Sequence, residues 1–209
     1  MILRLAALGA IVLGLVALLA FLQIVGKAPW SPPEMRHLRA MKDRTVAPER
    51  VTPFSFADFQ ALPHTLSVAA YAPLERRGVS LEGYVQRLEP APDGDVHFEV
   101  VATPRRPGGP DTVYVTTEVT PQWGRDSDHW SFEGLVTALR PNRGGATAWD
   151  SGPRRARMSG WLMYDFQDDP PFDRRPRWRN RILTGWEIHP VTRIELWDAA
   201  DSTWRELER

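Results

Sequence analysis

The chain has 209 residues, and its 26 basic and 26 acidic side chains give a formal net charge of zero. This balance excludes a global electrostatic field that would draw the whole protein to nucleic acid or to anionic lipid, so any such binding must be local. The sequence has no cysteine, which excludes disulfides, thiolate nucleophiles and zinc sites with cysteine ligands.

The first apolar segment is long enough to cross a membrane. Residues 5–25 contain Gln23 as their only clearly polar side chain. At a rise of about 1.5 Å per residue, a helix of this length covers roughly 31 Å, against a hydrocarbon core of about 30 Å. We therefore predict a single-pass membrane anchor at residues 1–26. The alternative is a secretory signal peptide cleaved near Gly26, although the apolar part of such a peptide is usually only about 7 to 15 residues long.

Two opposing features bear on the side of the membrane. The short head before the apolar segment, which contains Arg4, is typical of an export signal that is not cleaved, and it favours an extracytoplasmic domain. The positive-inside rule favours the cytoplasm, because several basic residues follow the segment. They are Lys27, Arg36, Arg39, Lys42 and Arg44. We expect the domain on the extracytoplasmic side.

Residues 27–52 predict a linker, because four prolines interrupt a charged stretch that has no sustained apolar period. The domain is expected to begin at residue 53. Ser55 followed by Asp58 is typical of a capping box at a helix N-terminus. Apolar side chains at helical spacing follow until Pro63, so a short helix is predicted at the start of the domain.

Five segments with the two-residue period of β-strands follow, and a helix is predicted between the third and the fourth. The helix begins after Asp126 or Ser127 and ends before Pro141, with apolar residues along one side. The strands are predicted at residues 79–88, 96–102, 113–119, 156–164 and 184–196. This order is that of the OB-fold, a five-stranded, partly open Greek-key barrel. The fold predicted for residues 53–209 is therefore mostly β and OB-like, although periodicity alone does not exclude a sandwich.

Two short motifs extend this prediction. Residues 94–97 are Gly-Asp-Val-His at the start of the second predicted strand, and residues 186–191 are Trp-Glu-Ile-His-Pro-Val in the fifth. Both resemble segments of uncharacterised OB-like domains exported by bacteria, and the resemblance covers residues 79–196. It implies the fold rather than an activity, because OB-folds bind many unrelated ligands. OB-folds that bind oligonucleotides or oligosaccharides use strands two and three and the loops that join strands one to two and four to five.

Polar side chains on two predicted strands form one candidate site. Asp95, His97 and Glu99 occupy every second position of the second strand, so their side chains lie on the same face. Glu187 and His189 do the same in the fifth. If the two strands approach, these imidazoles and carboxylates could hold a divalent metal ion, or a carboxylate could orient a histidine as a general base. The competing interpretation is structural, since half-solvated strands commonly carry polar residues at alternate positions.

The second candidate site is the loop between the fourth and fifth strands, residues 165–181. It interleaves arginines with an aromatic ring, a combination suited to phosphates and stacked bases. The expected ligand-binding residues are Arg174, Arg175, Arg177, Trp178, Arg179 and Arg181. In the alternative interpretation, four aspartates of the same loop neutralise these arginines and leave a solvated surface. They are Asp165, Asp168, Asp169 and Asp173.

Common enzyme motifs do not occur in the chain. The sequence lacks the Gly-x-Ser-x-Gly, Walker, Gly-x-Gly-x-x-Gly and His-Glu-x-x-His patterns. The leading hypothesis is a membrane-tethered, non-catalytic OB-fold binding module for an anionic or polymeric ligand, such as single-stranded nucleic acid, with no required cofactor. One alternative is a hydrolase or nuclease that uses a divalent metal ion held by the histidines and carboxylates. Another is a membrane-proximal scaffold that presents a protein-interaction surface.

Overall fold

The computed structural model describes residues 2–24, 28–64, 67–104, 112–139, 153–169 and 181–209. The chain divides into two compact units, Met1–Lys42 and Asp43–Arg209. The first unit contains helix α1, Ile2–Ile24, and helix α2, Pro33–Lys42. Among the described residues, no helix combines the length and the apolar character needed to cross a membrane. The predicted membrane-spanning anchor is therefore not confirmed.

Helix α2 lies inside the segment predicted as a linker. Its first turn contains the acidic Glu34, and its last turn contains the basic Arg39 and Lys42. This distribution favours a helix, because the helix dipole is positive at the N-terminus and negative at the C-terminus. Leu38 is its buried side chain. Residues 27–52 are therefore not irregular throughout. Met35, Leu38 and Met41 recur at helical spacing, but over too few residues to form a sustained apolar period.

The second unit begins with a short strand and a capped helix. Strand β1, Val51–Phe54, has no counterpart among the predicted elements. Helix α3, Phe56–Gln60, confirms the predicted short helix. The Ser55 hydroxyl accepts a hydrogen bond from the backbone N–H of Asp58, and the Asp58 carboxylate accepts one from the backbone N–H of Ser55 at 2.7 Å. Helix α4, Val68–Tyr71, and a 3₁₀ turn, Leu74–Arg76, then lead to the barrel.

Five strands close into a barrel and confirm the prediction of a mostly β, five-stranded fold. They are β2, Gly78–Pro90; β3, Val96–Val101; β4, Val115–Val119; β5, Arg155–Tyr164; and β6, Trp186–Asp198. Strand β2 pairs antiparallel with β3, β3 with β4, and β5 with both β6 and β2. The circle is completed by β4 and β6, which run parallel.

In the described part of the connection between β4 and β5 there are two helices, α5, Pro121–Gly124, and α6, Phe132–Leu139. A helix between the third and fourth barrel strands, together with the spatial order β2-β3-β4-β6-β5, is consistent with an OB-like barrel. Two further strands extend the sheet: β1 pairs parallel with β2, and β7, Thr203–Glu206, pairs antiparallel with β6.

Alternate residues of the barrel strands point to the core and to the outer surface. Phe98 of β3 and Ile188 of β6 are fully buried in the core. Their neighbours His97 and His189 therefore point away from it. A small apolar cluster separate from the core contains Val101, Tyr114 and Ile182. The outer surface of β3, β4 and β6 thus has its own buried side chains, and the candidate site lies there.

Candidate functional site

Two histidines and three carboxylates form one group on the outer surface of β3, β4 and β6, which we call the His–carboxylate cluster. The strand register places Glu118 of β4 opposite His97 of β3, and Nδ1 of His97 lies 2.8 Å from Oε1 of Glu118. The parallel neighbour β6 brings His189 to the same carboxylate, with Nδ1 3.1 Å from Oε2 of Glu118. Glu118 therefore bridges the two imidazoles.

Carboxylates surround the ring of His189. Its Nδ1 also lies 3.0 Å from Oε1 of Glu187, which is two residues earlier on the same face of β6. Its Nε2 lies 3.3 Å from Oδ2 of Asp95, immediately before β3. This last pair is close enough for charge attraction but is not aligned as a hydrogen bond, and Nε2 has no hydrogen-bond partner in the described part of the chain. Because the side chain of His189 is fully buried, one of its nitrogens is unsatisfied in the interior.

A close approach of β5 and β6 positions the backbone beside His189. A Cβ atom added at Gly160 of β5 would lie 2.2 Å from the carbonyl oxygen of Pro190. Any larger residue at this position would push the two strands apart. Glycine at position 160 is therefore needed for the strand segment that carries His189 to pack against β5.

Burial and neighbouring charges have opposite effects on the pKa values of the two histidines. Burial lowers the pKa of His189, but the neighbouring carboxylates, Glu118 first, outweigh it and raise the pKa well above its ordinary value. The same balance, again with Glu118 as the main partner, raises the pKa of His97. Burial is the main reason that the pKa of Glu187 is raised to about 7, although its hydrogen bond to His189 opposes this. The carboxylates of the cluster thus favour the protonated form of both imidazoles.

The donor atoms of the cluster suit a divalent cation. Asp95, Glu118 and His189 each offer one donor atom, and these atoms lie within 4.8 Å of one another. Imidazole nitrogen and carboxylate oxygen are donors that Zn²⁺ and Mn²⁺ accept. Glu187 and His97 contact the donors from outside, as the outer partners of metal ligands do. The residues can thus hold a divalent cation, or act without one as a buried network of ionised side chains.

The four residues that the sequence predicts for a metal site are all in the cluster: Asp95, His97, Glu187 and His189. Sequence reasoning misses Glu118, because only the pairing of β3 with β4 places it beside the histidines. The available signal is the alternation in residues 115–119, which puts Glu118 on the outward face of its strand. Whether these side chains bind a metal stays a prediction.

Glu99, the remaining acidic candidate, contacts two arginines. Its Oε1 lies 3.6 Å from Nη1 of Arg87, and its Oε2 lies 3.8 Å from Nη2 of Arg181. Burial raises the pKa of Glu99, although both arginines oppose the shift. The guanidinium of Arg181 also lies 6.0 Å from the centre of the Tyr114 ring. Glu99 therefore links β3 to the two arginines on this surface.

The predicted arginine-rich loop is described only at its ends. Arg181 is described, whereas Arg174, Arg175, Arg177, Trp178 and Arg179 lie outside the described residues. Among the loop aspartates, Asp173 also lies outside them. Asp169 is fully buried, with Oδ1 2.7 Å from Nδ1 of His64, and it accepts a hydrogen bond from the Tyr164 hydroxyl. Asp169 is thus part of the domain interior and not of a solvated loop.

A second group of charged side chains lies on β2, β5, β6 and β7, and we call it the Arg–Glu ladder. Glu82 accepts hydrogen bonds from Arg155 at 2.6 Å and from Arg157 at 2.8 Å. Arg157 also lies 3.3 Å from Glu195 and stacks on the Trp204 ring at 4.1 Å. The ladder consists of Glu82, Arg155, Arg157, Arg193, Glu195 and Glu206. Most of its members border a surface cavity of about 870 Å³.

Comparison with known proteins adds no family to these observations. The chain matches no known family model, and no curated protein matches it. The resemblance of residues 94–97 and 186–191 to exported bacterial domains therefore stays a prediction.

Proposed function

We propose that this protein is a ligand-binding module on an OB-like barrel, and that it binds an anionic polymer on the outer surface of β3 and β4. OB-folds bind ligands on their second and third strands and on the loop between the fourth and fifth. Here those strands are β3 and β4, and Arg181 ends the loop. The supporting observation is the attachment of this loop end to Tyr114, just before β4. The Tyr114 N–H donates to the Arg181 carbonyl at 2.8 Å, and the Leu183 N–H donates to the Tyr114 carbonyl at 2.7 Å.

Arginine chemistry supports an anionic ligand. Arg87 and Arg181 approach the same part of β3 from two sides, through Glu99. Guanidinium groups bind phosphate and carboxylate groups with two parallel hydrogen bonds, so such a pair can select an anion by geometry as well as by charge. Arg87 also pairs with Glu89 at 2.5 Å, and its side chain is 45% exposed, so an anion from solvent would compete with Glu89 and Glu99 for the guanidinium. The arginines and Trp178 of the loop would extend this surface to a polymer.

Burial favours binding over catalysis. A metal-assisted hydrolase or nuclease would have to bring its substrate to Asp95, Glu118 and His189, and none of these residues is more than 8% exposed. A bond cannot be cleaved by groups that the substrate does not reach. The hydrolase is therefore the second candidate, and its supporting observation is the set of imidazole and carboxylate donors.

The location of the module is proposed from the sequence. The apolar residues 5–25 have the length of a membrane-spanning segment, and we propose that they tether the chain with its barrel on the extracytoplasmic side. A scaffold that presents only a protein-interaction surface would share this location but would not need Arg87 or Arg181.

Binding of a single-stranded DNA oligonucleotide and of inorganic polyphosphate to the full-length protein tests the proposal. We expect binding at low salt that weakens as salt is added, because each phosphate contact on a single strand contributes a slope of about 0.7 to the dependence of log K on log salt. Replacing Arg87 and Arg181 together with Gln should reduce this slope by about 1.4. The matched control is Arg193→Gln on the Arg–Glu ladder, which should leave the slope unchanged.

Three other outcomes are informative. No binding of either polymer at low salt would refute the proposal. If the double variant and the Arg193→Gln control change the salt dependence of binding equally, the proposed surface is not the binding surface. Cleavage of the oligonucleotide after addition of Mn²⁺ would support the hydrolase in place of the binding module.

A further inference from the structure

The junction between β4 and β6 is the shortest strand pairing in the described barrel. A single registered pair, Thr117 with Ile188, joins the two strands. One isolated bridge, Tyr114 with Ile182, lies nearby. By contrast, β5 and β6 are paired along most of their length. Because so few backbone pairs join β4 to β6, side chains that cross this junction help to close the barrel.

The donor atoms of the His–carboxylate cluster lie on both sides of this junction. Glu118 is next to Thr117 on β4, and His189 is next to Ile188 on β6. Asp95 adds a third donor immediately before β3. The donor atoms lie within 4.8 Å of one another, whereas two ligands each about 2.1 Å from one metal are at most about 4.2 Å apart, so the side chains would draw together by less than about 1 Å to share an ion.

A second observation at this place points to a ligand. Nε2 of His189 is fully buried, has no hydrogen-bond partner among the described residues and lies 3.3 Å from Oδ2 of Asp95. Nδ1 of the same ring is held by Glu187 at 3.0 Å. In metal sites a histidine commonly donates one ring N–H to a carboxylate and presents its other nitrogen to the metal. His189 has the outer part of this arrangement, and an ion bound at Nε2 would replace the proton on that nitrogen.

The second carboxylate donor is held in place in the same way. Nδ1 of His97 contacts Oε1 of Glu118, and Oε2 of Glu118 lies 3.1 Å from Nδ1 of His189. Both inner donors therefore have an outer partner that restricts their orientation. To share one ion with Nε2 of His189, Oε2 of Glu118 would turn from Nδ1 toward that nitrogen.

We propose that Asp95, Glu118 and His189 bind one divalent cation that joins β3, β4 and β6 across the β4–β6 junction. One imidazole and two carboxylates favour a metal such as Zn²⁺ or Mn²⁺ over Ca²⁺, which takes about 6–8 oxygen ligands. The role of the cation is to stabilise the barrel. This inference goes beyond the proposed polymer binding and does not depend on it.

Metal content and thermal unfolding of the full-length protein test this site. We expect about one Zn²⁺ or Mn²⁺ per chain by elemental analysis. After removal of metal with EDTA, Zn²⁺ at about a hundredfold excess over its Kd should raise the Tm by roughly 5–10 °C. Ca²⁺ at the same concentration should leave the Tm unchanged.

A pair of variants assigns the effect to the cluster. Asp95→Asn preserves the size of the side chain but removes a charged donor, so the rise in Tm with Zn²⁺ should be lost. The control Glu195→Gln removes a carboxylate on β6 that pairs with Arg157 and Arg193, and it should retain the rise. If Asp95→Asn does not fold, the comparison of the wild-type protein with and without Zn²⁺ still decides the question.

Two results would overturn the inference. One is a wild-type protein that contains no metal and shows no rise in Tm with Zn²⁺ or Mn²⁺. The other is an Asp95→Asn protein with the full wild-type rise. Polymer binding measured in EDTA reports on the proposed function separately, so a failure of either proposal can be recognised without the other.

Discussion

The barrel carries the Arg–Glu ladder and the His–carboxylate cluster on its outer surface, and the two differ in their exposure to water. In the ladder, the side chains of Arg157 and Glu82 are 26% and 40% exposed. In the cluster, the side chains of His189 and Glu118 are 0% and 10% exposed. Water and salt therefore screen the charges of the ladder more strongly than those of the cluster.

This difference indicates which charged contacts the fold depends on. When one partner of an exposed ladder pair is removed, the other remains close to solvent, so the folded protein loses little stability. When a carboxylate of the cluster is removed, an imidazolium remains buried without its counter-charge, which costs more than the net contribution of the pair itself. Strand β6 contributes to both groups, with His189 in the cluster and Glu195 in the ladder. The side chain of Glu195 is only 9% exposed, so the contrast rests on Glu82 and its arginine partners.

The largest effect is expected for Glu118→Gln in the metal-free protein. This change removes the carboxylate that both His97 and His189 contact. We expect a loss of about 3–5 kcal/mol in the free energy of unfolding, the cost of breaking a buried ion pair. Urea denaturation in the presence of EDTA measures it. A loss below about 1 kcal/mol would mean that the cluster behaves like an exposed pair and would remove the contrast with the ladder.

The matched change in the ladder, Glu82→Gln, should cost much less. The side chain of Glu82 is 40% exposed, and its partners Arg155 and Arg157 also stack on the Trp204 ring. We expect a loss of about 0.2–1 kcal/mol, and a smaller one at high salt because exposed pairs are screened. Urea denaturation at low and high salt measures both values. A loss as large as that of Glu118→Gln would show that exposure does not distinguish the two groups.

The smallest expected effect is the change with pH in the contribution of Glu82 to the free energy of unfolding. Burial raises the pKa of Glu82, but the hydrogen bonds and charges of Arg157 and Arg155 outweigh it and hold the pKa below its ordinary value of 4.5. A carboxyl with a lowered pKa stabilises the folded state above the unfolded value of 4.5, and this stabilisation is lost as the pH falls through the lower folded value.

The difference in stability between the wild-type protein and Glu82→Gln should therefore shrink between about pH 6 and about pH 3. Urea denaturation across this range measures the difference. A difference that grows on acidification would contradict the direction of the pKa shift.

Local signals predict some elements of this protein well and others not at all. The capping box of Ser55 and Asp58 predicts α3, because both partners lie within one helical turn. The two-residue period predicts the five barrel strands, because each is long enough to show it. Strands β1 and β7 have only four residues each, which is too short for a clear alternation. Helix α2 has only 10 residues, so the helical spacing of Met35, Leu38 and Met41 is too short a run to predict it.

Alternation along a single strand is enough to predict that His97 and Glu99 share one face of β3. Their different partners could not be predicted in this way, because they depend on how β3 pairs with its neighbours. The register of β3 with β4 places His97 opposite Glu118, and the register of β2 with β3 places Glu99 opposite Arg87. The register between strands is set by the packing of residues far apart in the chain, and the period of a single strand carries no information about it.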